Sequence, residues 1–521
     1  MSEHKTPIPS MLYNAAVGGH VTNSQQIIDE DYNLEQKDIN KETLGVPYNV
    51  SNPNGMGRIV LKKNDNFKQV VETQTNGNTI FVIKYYFTLT DNVTIPANCI
   101  LQFEGGSISG AYTITGTNTC INAGLVKIFN TNVTFAGNWN VAEAYPEWFY
   151  DDNWTLAINK CFNIFKKTKL INQYNISSDD IEGDILLTLP EGHIVESSFI
   201  GNISTYNEST LIISANRDVT ILSISRNTIV QGISMYVEKS NNSINVVGIY
   251  SYHTRDILVN FCRIENATIG IDLTSYLSTI LKTEITNCNN GIVTHEYSRD
   301  AHSTSLILQQ CWVTNCKGSA YDISGLTYSC LINCAADNCA LSEDYVYKFT
   351  NCDAMSIISC GFESCPSGIL VDGGSRAIKF ITCTFVLSPS TQRTIQKVIE
   401  ILNSADIHFE QTCILKSSGD YPEKLISIKA FYGAATYFYR PVIIISNLYI
   451  DGNFINSNSN YIELKDSTYI WHICIINNDL KFGTKDYENY SQIGSQFFRT
   501  DLGKPIWWNG TSWVDATGTP V

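Results

Sequence analysis

The chain has 521 residues, of which 43% are hydrophobic and 16% charged, and a formal net charge of -15. This composition excludes a disordered or coiled-coil protein, and the acidic balance argues against nucleic acid or an anionic membrane as partner, since both attract Lys and Arg. There is no apolar run of about 18 residues, and the opening MSEHKTPIPSMLYNAAVGGH lacks a signal-peptide pattern, so the expectation is a chain made and kept in a cytoplasm.

In chain order, residues 1–58 carry neither a strand pattern nor a long amphipathic helix, and read as an extended anchoring segment. Residues 59–143 contain IPANCILQFEGGSISG, an apolar strand followed by a Gly-Gly turn, and read as first coils of a solenoid. Residues 144–480 open with AYPEWF, the paired acids Asp151 and Asp152, and the helical-looking LAINKCFNIFKK, followed by the strand LTLPEGHIV. Residues 481–521 contain IGSQFFRTDLGKPIWWNGTSWVDATG, which reads as short strands with an Asn509-Gly510 turn and exposed Trp507, Trp508 and Trp513. Packing of those indoles inside the small domain is the alternative.

The fold is set by an irregular repeat. Cys262, Thr283, Cys311, Cys334, Cys360 and Cys383 align with spacings of 21, 28, 23, 26 and 23 residues. Two positions on stand Ile264, Ile285, Val313, Ala336, Phe362 and Phe385, so apolar and polar residues alternate as a half-buried strand requires. Four positions on stand Asn266, Asn287, Asn315, Asn338 and Ser364; five positions on stand Ala267, Cys288, Cys316, Cys339, Cys365 and Ser388. A further apolar column runs through Ile249, Ile271, Ile292, Tyr321, Tyr347 and Ile369. Short strands in repeats of this length predict an all-β, single-stranded parallel β-helix. The Asn column predicts left-handed turns and side-chain amides bonded from coil to coil.

The 16 cysteines are spread through the chain without zinc-site spacing. They read as reduced, buried packing residues, with no metal and no cofactor expected. Outward positions of the same strands align Arg263, Glu284 and Trp312 in one line and Glu265, Asp337 and Glu363 in the next. This acidic, aromatic ridge has the chemistry to bind polysaccharide, although ordinary solvated side chains give the same pattern. A second outward column contains Asp272 and Asp322, two coils and thus about 10 Å apart. Beside it lies the polar loop THEYSRDAH, with His295, Glu296, Tyr297, Arg299, Asp300 and His302. For cleavage, Asp337 and Glu363 are the acid pair expected, because consecutive coils hold their Cα atoms about 4.8 Å apart, near the separation used by retaining glycosidases.

IPANCILQFEGGSISG, AYPEWF with its following helix, and LTLPEGHIV resemble the pectate-lyase-like β-helix superfamily, particularly phage tail spikes and related proteins of gut Bacteroides and their phages. The Gly-Ala and Gly-Asp-Gly residues usual between PEWF and the paired acids are missing, so this loop is shortened. Both chain ends resemble phage fibre parts. The resemblance implies a right-handed parallel β-helix with a short capping helix and small terminal domains, in a virion appendage, a tail spike or fibre that binds host-surface polysaccharide with or without cleaving it. It also implies a homotrimer attached to other virion proteins through the N-terminal segment. A non-enzymatic head fibre or decoration protein, and a bacterial polysaccharide lyase or hydrolase, stand as alternatives.

Overall fold

The computed structural model describes residues 57–198, 210–296, 303–389 apart from 343, and 398–416 apart from 403, then separate strands from 426 onward and the stretch 504–521 apart from 510. Asp300, with Tyr297, Arg299 and His302, lies outside the described residues, as does nearly all of the expected N-terminal anchor. The chain forms two compact units, residues 1–171 and 172–521.

In the first unit, strands Thr79–Ile83, Ile100–Phe103 and Thr113–Asn122 stack in parallel, with Phe81 beside Leu101 and Leu101 beside Ile121. The Gly-Gly turn is required by close approach: a Cβ on Gly106 would lie 2.4 Å from the Tyr85 carbonyl oxygen. PEWF forms a 3-10 helix, Pro146–Phe149, followed by the α-helix Trp154–Ile164. The Asn153 side chain caps that helix by accepting from the Leu156 N–H at 2.9 Å. Its inward residues Ala157 and Cys161 join Trp148, Phe149 and Phe129 in one core, where Phe129 and Phe149 stack with centroids 5.4 Å apart.

The second unit is a right-handed parallel β-helix. Each coil contributes one strand to each of three parallel sheets, as Leu258–Asn260, Arg263–Glu265 and Ile269–Tyr276 do for the first, second and third sheets. The repeat columns are the strand registers. On the second sheet Ile264 pairs with Ile285, then Val313, Ala336, Phe362 and Phe385. On the third, Ile249 pairs with Ile271, Ile292, Tyr321, Tyr347 and Ile369. All of these are buried, and each large one contributes about 1.5–3 kcal/mol by leaving water. Tyr321 and Tyr347 stack 4.9 Å apart, and their hydroxyls lie 2.8 and 2.9 Å from the carbonyls of Ala335 and Gly361, so an interior polar group is satisfied.

The cysteine columns point inward. The 15 cysteines with described side chains are all free, and Cys262, Cys311, Cys334, Cys360 and Cys383 are buried. Their thiols donate to strand carbonyls, as Cys334 does to Leu308 at 3.3 Å, and burial pushes the thiol of Cys262 up to about 12. Corners are made by residues in the left-handed region: Asn266, Asn287, Asn315, Asn338 and Ser364 have φ between 51° and 63°. Such a φ costs most L-residues roughly 1–2 kcal/mol and Asn less, which explains the column. The Asn338 amide donates to Asn315 Oδ1 at 2.8 Å, whereas Asn287 donates to Glu265 instead.

At the C-terminus, Lys504–Trp508 and Trp513–Val514 form an antiparallel pair around Asn509. Here the packing alternative holds for Trp513, which is 4% exposed and packs with Ile506 and Trp508, while Trp507 and Trp508 are half-buried. A small domain has little apolar surface to bury and uses its largest apolar side chains internally.

Candidate functional site

Two groups of outward side chains stand on the second sheet. In the lower group, Arg263 is register partner of Glu284, and its guanidinium lies 3.0 Å from Glu265 Oε2 and 3.7 Å from Glu284 Oε1. Asn287 Nδ2 donates to the other oxygen of Glu265 at 3.1 Å. Partial burial lifts the Glu284 carboxyl above the usual carboxylate range, opposed by Arg263 and assisted by Glu265. This group is a closed ionic network that orients its own members.

The upper group is open. Glu284 pairs with Trp312, Trp312 with Ala335 and Ala335 with Gly361, so the column above the indole is nearly empty of side chain. Trp312 is 46% exposed, and its Nε1–H donates to Asp337 Oδ2 at 2.7 Å, which fixes the ring. Asp337 is register partner of Glu363 on the next coil, and Glu363 is exposed. Trp312, Asp337, Glu363 and Thr384 are among the residues lining a shallow depression of about 440 Å³. Glu265, although in the Asp337 column, is separated from it by Thr286 and Thr314, whose hydroxyls bond to each other at 2.8 Å.

On the third sheet, Asp272 and Asp322 flank Val293 in register, two coils apart. They do not form an acid pair. Asp272 is only 9% exposed because His295, one coil on, reaches back over it with Nε2 2.9 Å from Oδ1. That carboxylate holds the imidazole above its ordinary value, against a smaller opposing effect of burial. Asp322 is paired to Lys348 at 2.9 Å, and Lys348 also lies 3.6 Å from Asp344. Glu296 accepts from the Asn351 amide.

Lys348 and the Trp312–Asp337 bond are absent from the sequence-based expectations. Lys348 had a signal, since it is the next register partner of Asp322. The indole bond had none, because it depends on side-chain direction across two columns. Among the described residues no group of three or more His, Cys, Asp or Glu side chains is arranged to hold a metal ion, and no helix is long and apolar enough to cross a membrane.

No family model and no curated protein matches the sequence. Among solved structures, the chain is similar to a point mutant of DFA-IIIase from Arthrobacter chlorophenolicus, at 9% identity over 62% of this chain and 92% of that one, with a TM-score of 0.45. It is also similar to the Acinetobacter phage vb_AbaP_AS12 gp42 tailspike, at 10% identity over 70% and 74% of the two chains, with a TM-score of 0.39. Tailspike protein 3 of bacteriophage CBA120 matches at 13% identity over 96% and 71%, with a TM-score of 0.31.

Proposed function

We propose that this chain is a subunit of a bacteriophage tail spike or fibre whose solenoid binds host-surface polysaccharide along the strip that carries Trp312. The observation that supports this most is the indole itself: a large flat apolar face, 46% exposed, anchored by its N–H to Asp337 beneath a vacant column of Ala335 and Gly361. A sugar ring stacks its C–H face on such a platform while carboxylates at its rim accept hydroxyl hydrogen bonds.

The strip also carries the acid pair for cleavage. Asp337 and Glu363 are on consecutive coils, with Cα atoms about 4.8 Å apart, compatible with the roughly 5–5.5 Å carboxyl separation of a retaining mechanism. Asp337, oriented by the indole, is the assigned nucleophile, and exposed Glu363 the assigned proton donor. The glycan chain enters the depression over Trp312, and the scissile bond lies between the two acids.

The test uses purified capsular polysaccharide of the bacterial host. Trp312→Ala is expected to weaken binding about tenfold, the value of one stacking contact. Asp337→Asn and Glu363→Gln are each expected to abolish the appearance of new reducing ends while leaving binding within a few-fold. Unchanged cleavage in both acid variants removes the pair; binding by the parent without any cleavage leaves a receptor-binding fibre.

A further inference from the structure

We propose that Leu277 and Tyr328, on the corner between the third and first sheets, form a second saccharide-binding spot, away from the Trp312 strip; this rests on the reading that the chain takes polysaccharide. One residue per coil turns this corner: Asn227, Asp256, Leu277, Ser305, Tyr328, Ala354, Ala377 and Asp406, all with φ between 47° and 57°. Their stacking is fixed by backbone bonds, Leu277 N–H to Thr304 at 3.0 Å, Ser305 N–H to Thr327 at 3.0 Å and Tyr328 N–H to Asp353 at 3.1 Å.

Left-handed backbone is tolerated best by Gly, Asn and Asp, and three of these corners use Asn or Asp. Leu277 and Tyr328 depart from that rule while remaining mostly exposed, at 55% and 74%. Local strain combined with large exposed apolar side chains is unfavourable for folding on both counts, so the gain lies outside the fold.

The occupant follows from size and charge. Leu277, Ser305 and Tyr328 lie on successive coils, so the two apolar groups are about 10 Å apart with a hydroxyl-bearing residue between them. Tyr328 offers a ring face to one sugar, Leu277 an apolar contact to another, and Ser305 a partner for the hydroxyls between. Beyond them the corner continues as Asp256 on one side and Ala354 on the other, and Ile307, on the strand after Ser305, is 36% exposed, so among the described residues the apolar spot is a few side chains across. That is far below the roughly 800 Å² per partner of a stable protein interface. The net charge of -15 favours a neutral glycan over a polyanionic one.

The experiment compares full-length parent, Leu277→Asn, Tyr328→Asn and Trp312→Ala by thermal melting, light scattering and binding to an array of purified neutral bacterial capsular polysaccharides. Both Asn variants are expected to melt about 1–2 °C higher, at unchanged mass. Tyr328→Asn is expected to bind about tenfold more weakly. A lower melting temperature or a smaller mass overturns the proposal, by making the corner a folding or assembly contact. Full binding by both Asn variants alongside loss in Trp312→Ala removes this spot and keeps the Trp312 strip. Failure of the parent to bind any array member counts against both.

Discussion

The outward strips of the second and third sheets are built on the same coils, yet they differ in what the next coil supplies. On the third sheet His295 lies over Asp272 and Lys348 beside Asp322, so these charges close on one another. On the second, Trp312 is followed by Ala335 and Gly361, and the residue stays 46% exposed. The proposed ligand face on this solenoid is therefore created by what is omitted above a platform as much as by the platform.

The comparison rests on an interior shared by both strips, and the largest effect is expected there. Phe362, which stacks on Phe385 at 5.0 Å and is 1% exposed, should cost about 3–5 kcal/mol when changed to Ala, measured by urea unfolding. A cost below about 1 kcal/mol would mean that the interior is slack.

Next comes Asp272→Ala, which strips the third sheet of its cover. Removing a nearly buried carboxylate from under His295 should destabilise by about 1–3 kcal/mol. The matching change on the open strip, Trp312→Ala, should stay within about 0.5 kcal/mol in the same assay. Equal costs for the two would erase the distinction between closed and open strips.

The smallest expected effect is a pH dependence. The folded His295 ring holds its proton more tightly than the ordinary value of 6.5 implies, so its contribution is fully present below that value. It is lost as pH rises through the higher folded value. With the ring half-exposed, screening limits it to roughly 0.5 kcal/mol. Chemical denaturation between pH 5 and 9, a range of about two units around the histidine, should show the slope in the parent and not in His295→Gln; its persistence in the variant assigns it elsewhere.

The inward half of this molecule was readable in the sequence because stacking forces repetition. Cys311, Cys334 and Cys360 recur because each fills the same small space beside a strand carbonyl, and Asn287, Asn315 and Asn338 because each turns the same corner. Outward positions obey no such rule. Asp272 and Asp322 share a column yet serve separate ion pairs, and Asp337 is tied to an indole one coil below it and two positions along the strand. Leu277 and Tyr328 were hidden for the opposite reason: they break a column whose other members are small or polar.

Within the described solenoid, a coil's strands bond in register to those of the coil before and the coil after. Duplication or loss of one complete unit, such as 311–333, would therefore leave every remaining register intact, and length could change over generations in steps of about 4.8 Å. Trp312 and Tyr328 fall within one such unit, while Leu277, Asp337 and Glu363 fall outside it. A single excision would thus remove Trp312 and Tyr328 and spare Asp337 and Glu363, so that the proposed recognition surface is lost while the rod survives.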